Sequence, residues 1–215
     1  SNGGSIRAGS AVKNILIKNN RSYGLALENG DEIYADKVVS NLDVKRTFLK
    51  VVEKKELPSE FYTAVKNFKI RGSSGKLNIA LDDKPIWKSI PKDDPASTGD
   101  LHFTQSIQEM EGAYDDWKDG KWSSLPYVDM CIPTLNDPTM APQGKHYMSV
   151  FVQYVPYNLS DGGWTEEKRI QFGEHVMKRI GNYSYNFKDI VLHAEVRTPK
   201  ELEAEVGLTE GNIFQ

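Results

Sequence analysis

The stretch Val12–Asn41, VKNILIKNNRSYGLALENGDEIYADKVVSN, constrains the fold more than any other part of the chain. Ile15 and Ile17, Leu25 and Leu27, and Ile33 and Ala35 recur at the period of two that places alternate side chains on one face of a sheet. Asn19-Asn20 and Glu28-Asn29-Gly30-Asp31 supply the reversals between them, because Asn and Gly tolerate the backbone angles that tight turns demand. The stretch therefore predicts a meander of three short strands. A meander of that size cannot bury its apolar face alone and needs another layer to lie on.

The rest of the sequence predicts a mixed set of helices and strands. Asp43 caps a short helix through Leu49 and Val52, and Pro58-Ser59 opens a second in which Phe61, Val65 and Phe68 share a stripe. After Gly72–Gly75 comes the strand KLNIALDD, with Leu77, Ile79 and Leu81 facing one way. Lys84–Gly99, punctuated by three prolines, reads as a surface loop suited to a lid or a partner contact. Three further strands follow, LHFTQSI, PYVDMCIP and KHYMSVFVQYVP. An exposed helix EMEGAYDDWKDGKW lies between the first two of them, and the connection PTLNDPTMAPQG lies between the last two. The third strand puts Met148, Val150 and Val152 on one face and Tyr147, Phe151 and Val155 on the other. A strand with large groups on both faces belongs in the middle of a sheet, with its second face against another layer or a ligand. Thr165 caps TEEKRIQFGEHVMKRIGNY, with Ile170, Phe172, Val176 and Ile180 as its stripe. IVLHAEV is the last strand, and Thr198-Pro199-Lys200-Glu201 forms a capping box for a short helix that Gly207 stops. The expected fold class is α+β, a mixed, mainly antiparallel sheet with helices on one side plus the small meander.

Composition narrows the function. With 27 basic against 30 acidic side chains and no basic stripe interleaved with aromatics, nucleic acid is a poor partner. No apolar run reaches the roughly 18 residues of a membrane helix, and no secretory signal opens the chain, which suggests the cytoplasm or the periphery of a membrane or organelle. Cys131 is the sole cysteine, so it forms no internal disulfide, and its place in the apolar run Tyr127–Ile132 predicts a buried core thiol.

Side-chain chemistry is sparse. His102, His146, His175 and His193 show no metal-ligand spacing, so no metal site is expected. Of the four, His146 is best placed for a cleft, after a glycine turn and at the start of the two-sided strand. Asp115 and Asp116, adjacent on a helix, point apart and read as a solvated face. No serine sits in a nucleophile elbow, no set of residues forms a self-contained catalytic group, and no glycine-rich phosphate-cradling loop occurs anywhere in the chain.

Three stretches, in order, carry a resemblance. GGSIRAGSAVKNILIKNNRSYGLALENGDEIYADKVVSNLD, IPTLNDPTMAPQGKHYMSVFVQYVPY and TPKELEAEVGLTEGNIFQ are similar to successive pieces of phytoene-dehydrogenase-like, FAD-dependent oxidoreductases of the pyridine-nucleotide-disulfide-oxidoreductase-domain-like branch. The resemblance implies an amine-oxidase-like build, an FAD-binding domain with a Rossmann-like core interrupted by a substrate domain. Residues 1–42 would be part of the FAD domain, including a strand that returns through AdKVVSN. Residues 43–199 would be the substrate domain, and 200–215 the return segment. The dinucleotide fingerprint would lie upstream of Ser1. With abrupt ends at Ser1-Asn2 and within GLTEGNIFQ, the chain reads as an excised middle.

The family's functional positions then map onto this sequence. Val12 would meet the adenine through its backbone, Ser40 and Asn41 would approach the cofactor, and Gly207, Gly211 and Asn212 would re-enter near the flavin ring. His146, Tyr147, Phe151, Gln153 and Tyr154 would face the substrate. The intact protein would be an FAD-dependent oxidoreductase acting on an apolar or polyene-like molecule, with redox work done by the flavin and no catalytic side chain named. The chain alone would be inactive, would pair with the missing FAD-binding portion of its own protein, and would self-associate through the exposed face. The alternative is a cofactor-free interaction domain that keeps the fold.

Overall fold

The computed structural model describes residues 3–92 and 94–214; Ser1, Asn2 and Gln215, at the two abrupt ends, and Asp93 of the 84–99 loop lie outside the described residues. The chain divides into two compact units, one reaching to Ile70 and one running from Arg71 to Phe214.

The first unit is built on the meander. β1 (Val12–Lys18), β2 (Arg21–Leu27) and β3 (Glu32–Tyr34) form an antiparallel sheet in that order. Ile15 stands opposite Leu25 and Leu25 opposite Ile33, so the alternating apolar residues make one continuous row. Asn19 and Asn20 take φ of 52° and 60° in the two-residue turn, a geometry whose twist matches the strands it joins. At Gly24 the backbones of β2 and β3 run so close that a Cβ would collide with the Ile33 carbonyl oxygen.

The returning strand expected through Lys37–Asn41 does not form. After Ala35, whose amide donates to the Tyr23 carbonyl of β2, residues 36–42 join no described strand, and valines at 38 and 39 cannot make a strand without a ladder to complete their backbone hydrogen bonds. The helix after it starts as expected. α1 (Val44–Arg46) is capped by the Asp43 carboxylate, which accepts from the Arg46 amide at 2.9 Å, and the chain continues through a wider turn, Thr47–Val51. α2 (Ser59–Asn67) buries Val65, while Phe61 packs edge-on against Phe48 and Phe68 lies exposed beyond the helix end.

The second unit holds an antiparallel sheet of five strands. β4 (Ser74–Leu81), β5 (Leu101–Phe103), β6 (Tyr127–Cys131), β7 (His146–Gln153) and β8 (Val191–Arg197) are arranged in the order β5-β6-β7-β4-β8, with β7 at the centre. One face is closed. Leu77, Ile79, Leu81, Val128, Met130, Met148, Val150 and Val152 are all 2% exposed or less and pack with Phe172, Val176 and Ile180 of α4 (Glu166–Gly181). Those three α4 residues recur every four positions and so share one stripe. Ile170, expected in the same stripe, lies off it and is exposed.

The structure corrects other expectations in this unit. β5 ends at Phe103, so LHFTQSI is a strand for only three residues, because Ser106 instead caps α3 (Ile107–Lys118), its hydroxyl accepting from the Glu109 amide at 3.1 Å. Cys131 is not in the core. Strict alternation gives the inward positions to Val128, Met130 and Ile132, and leaves Cys131 half-buried on the other face. The 84–99 segment is a surface loop from which Pro85 and Trp87 turn inward, Trp87 dropping into the core beside Phe103.

The C-terminal region follows the expected pattern. A short turn, α5 (Phe187–Ile190), leads into β8, and α6 (Pro199–Val206) is bounded at both ends. The Thr198 hydroxyl and the Glu201 carboxylate make the reciprocal capping box, and Gly207 ends the helix at φ 81°.

Candidate functional site

In the first unit, Val12, Ser40 and Asn41 line one cavity of about 470 Å³, together with Lys13, Arg46 and Lys50. Val12 is on β1, the edge strand of the meander, where half of the backbone polar groups point away from the sheet. Ser40 and Asn41 lie on the extended segment that failed to become a strand. The Ser40 hydroxyl is 2.9 Å from that of Thr47, which ties this segment to the turn after α1. Arg46 was not singled out from the sequence. It lines the cavity with a buried Nε that has no hydrogen-bond acceptor, its nearest charge being Asp43 at 3.7 Å. Edge-strand backbone, a hydroxyl, an amide and three cations against one Glu28 suit an anionic dinucleotide. The residues present are chemically compatible with a phosphate-bearing group such as that of FAD.

In the second unit, the sheet face opposite the core carries Tyr147, Ser149, Phe151 and Gln153 on β7. Across from them stand Ala80, Asn78, Lys76 and Ser74 on β4. Tyr127, Asp129 and Cys131 of β6 and His193, Glu195 and Arg197 of β8 extend the same face. A hydrogen-bonded row crosses it. The Tyr147 hydroxyl donates to Asn78 Oδ1 at 2.7 Å, Asn78 donates to Glu195 at 3.3 Å, and Arg197 donates to the same carboxylate at 2.7 Å. Lys76 donates to the Ser149 hydroxyl beside it. Lys76 and Asn78 were missed in the sequence, although their alternation with Leu77 and Ile79 was the signal that placed them here.

Burial pulls the Lys76 ammonium below its ordinary value, with nearby Cys131 and Asp129 only partly opposing it. Burial also pushes the Cys131 thiol up, which keeps it protonated and a poor nucleophile. At the β5 edge His102 Nδ1 lies 2.6 Å from the Tyr127 hydroxyl and 3.6 Å from Asp129. Burial, and then Asp129, pushes the Tyr127 phenol up. Phe151 and Gln153 add an aromatic ring and an amide to this face beside the row.

The predicted site residues separate into groups. Val12, Ser40 and Asn41 come together in the first unit. Tyr147, Phe151 and Gln153 share one face in the second. His146 is on the opposite, core-side face, where its Nδ1 lies 3.0 Å from the Thr134 hydroxyl and burial lowers its pKa. Tyr154 lies past the end of β7 and packs edge-on against Tyr114, 5.3 Å away, and near Trp117. Gly211, at φ 67°, is packed against Pro199, and Asn212 donates to the Arg71 carbonyl at 2.9 Å. Among the described residues no group of three or more His, Cys, Asp or Glu side chains could hold a metal ion, and no helix is long and apolar enough to cross a membrane.

Comparison with known proteins gives a distant family relationship to the pyridine-nucleotide-disulfide and phytoene-dehydrogenase-like oxidoreductases. The chain is 33% identical over 202 residues to pyridine nucleotide-disulfide oxidoreductase domain-containing protein 2 of Rattus norvegicus, covering 90% of this chain and 35% of that protein. It is 31% identical to the chloroplastic prolycopene isomerase 2 of an Oncidium hybrid cultivar, covering 88% of this chain and 30% of that one. The chain thus spans about a third of the length of these relatives. A crystal structure of an oxidoreductase from Methanosarcina mazei shares the fold at a TM-score of 0.54 and 19% identity, over 92% of this chain and 39% of its own. No family model matches the chain.

Proposed function

We propose that this chain is part of an FAD-dependent oxidoreductase that resembles phytoene dehydrogenases and acts on an apolar or polyene-like substrate. The observation that carries this reading is the convergence of Val12 with the distant pair Ser40-Asn41 on one cavity that also presents Arg46. On this reading the β1 edge and Ser40-Asn41 hold the adenosine portion, and Arg46 and Lys13 face the negative charge of the dinucleotide. Gly211 and Asn212 belong to a return segment, 200–215, that approaches the flavin ring. Residues 1–42 work on the cofactor side and 43–199 on the substrate side, although 43–70 pack in the same unit as the meander.

Bound flavin supplies hydride acceptance, which no side chain here can replace. The protein's own groups bind and orient. Phe151 offers a flat apolar surface to the substrate, Gln153 a hydrogen-bonding amide, and Tyr147 a ring held in place by Asn78. Tyr154 borders that surface with Tyr114 and Trp117. His146 has no part in this reading because it faces the other side of the sheet. The name of the Oncidium relative, a prolycopene isomerase, supports the polyene-like substrate.

The test is an FAD titration by flavin fluorescence quenching on this chain, on a chain extended upstream through a glycine-rich loop, and on the extended chain carrying Arg46→Ala. The 215-residue chain is expected to show little affinity and no turnover. The extended chain is expected to bind, and Arg46→Ala to weaken it by about tenfold, in line with the loss of a charge-assisted hydrogen bond. Binding by neither chain would replace the reading with a cofactor-free interaction domain that keeps the family fold.

A further inference from the structure

Resting on the reading of the open sheet face as the substrate side, we propose that Lys76 receives an acidic end of the molecule bound there. The ligand class is then a lipophilic carboxylate, an apolar or polyene-like chain that ends in one acid group.

Lys76 occupies the middle of that face. It is half-buried on β4, directly opposite Phe151 of β7 on one side and Arg197 of β8 on the other. Other charges of the face are matched. Arg197 donates to Glu195 at 2.7 Å and to Glu205 at 2.6 Å, and Asp129 lies 3.6 Å from His102 Nδ1. Lys76 has no such counterpart. Its hydrogen bond goes to the neutral Ser149 hydroxyl, and among the described residues no carboxylate oxygen lies within 4.0 Å of its Nζ.

An ammonium is a donor three times over and never an acceptor, so two of its N–H groups stay open after Ser149 is served. Burial disfavours its charge, and Asp129, acting from beyond ion-pair distance, only partly opposes that. An incoming anion would restore what the lost hydration removes, through charge-assisted hydrogen bonds to the open donors. The Ser149 hydroxyl also bonds the Cys131 thiol, which burial keeps protonated, so this neighbour brings no negative charge against the ligand. Arg197 already serves two carboxylates, which leaves one cation to be matched. A single carboxylate matches it better than a doubly charged phosphate. The Phe151 ring across from Lys76 supplies the complementary apolar contact, against which the chain behind the acid group would lie. A bare hydrocarbon would use the ring and leave the ammonium open, and a small acid would do the reverse.

Geranic acid and geraniol share one branched diene skeleton and differ in the head group. Each is titrated at neutral pH into the isotopically labelled 215-residue chain while the Lys76 ε-methylene and Phe151 ring resonances are followed by nuclear magnetic resonance. Both resonances are expected to shift and saturate with geranic acid, which should bind about tenfold more tightly than geraniol, as for one charge-assisted hydrogen bond. Lys76→Met keeps an unbranched apolar side chain without the charge and is expected to bring the acid to the affinity of the alcohol. Lys145→Met, at an exposed lysine paired with Asp82, is expected to keep the preference. Equal affinity for acid and alcohol in the native chain overturns the proposal and leaves the substrate side standing. So does an acid preference that survives Lys76→Met. Resonances that move with neither ligand overturn both the proposal and the reading on which it rests. If Lys76→Met does not fold, the comparison of acid with alcohol on the native chain decides.

Discussion

The two faces of the five-stranded sheet are made by the same strands and differ in almost everything else. One face is apolar apart from His146 at its end and is closed off by α4; on the other, lysine, asparagine, tyrosine and glutamate satisfy one another while remaining half-buried. The first face has the features of a folding core, in which packing alone sets the energy. The second has mutually satisfied polar groups around the Phe151 ring, an arrangement that contributes less to stability and, on the proposed reading, faces the substrate. Apolar packing and polar pairing are thus segregated to opposite sides of one sheet, so substitutions at neighbouring positions on β7 should have very unequal consequences.

The largest effect is expected from Val150→Asp, which buries an unpaired carboxylate in the core and should leave no cooperative unfolding transition by circular dichroism. Arg179→Met should come next. Arg179 and Glu109 form an ion pair at 2.6 Å with side chains 7% and 9% exposed, and removing the cation strands a buried carboxylate. The expected loss is about 3–5 kcal/mol in urea denaturation, largely recovered in the Arg179→Met, Glu109→Gln double variant.

Acid should probe the same pair. Burial pushes the Glu109 carboxyl up, but the Gln105 amide and Arg179 outweigh it and hold it below its ordinary range. A depressed carboxyl contributes stability that is present above the unfolded-state value, about 4.3, and lost as pH falls through the lower folded-state value. The native chain should therefore lose stability more steeply below about pH 4 than the double variant. Tyr147→Phe, on the polar side, should cost about 0.5–1.5 kcal/mol for the lost bond to Asn78, and a cost like that of Val150→Asp would erase the contrast between the faces. The smallest effect belongs to His146, whose pKa is lowered by burial. His146→Gln should flatten only the part of the stability profile below about pH 6.5, where the native imidazole must resist protonation.

Where sequence periodicity and cap chemistry acted locally, the structure was legible. The meander, its Asn19-Asn20 turn, the α4 stripe from Phe172 to Ile180 and the capping box at Thr198 all depend on residues within a few positions of one another. Where a long-range partner decides the outcome, the sequence was silent. Val38 and Val39 have strand propensity and no strand to pair with. Cys131 sits in an apolar run, and only the register with β7 shows that it faces away from the core. Ser106-Ile107-Gln108-Glu109 is a capping signature that was open to view but was overridden by the alternation before it. The site was legible in parts. Tyr147, Phe151 and Gln153 follow from period two, whereas Arg46 owes its role to what the surrounding chain does with it.

The strand order has a consequence for how the chain is made. β4, early in the sequence, pairs on one side with β7 and on the other with β8, through Lys76 opposite Phe151 and Arg197. As a ribosome extends the chain, Leu77, Ile79 and Leu81 emerge with both strand edges open, and remain so until residues from the last third have been synthesised. The unit cannot complete its sheet progressively from its N-terminal end; its assembly is a late and slow event dominated by distant pairings. Through that interval β4 is the segment most in need of a chaperone, and the one at which synthesis too rapid for folding would be converted into aggregation.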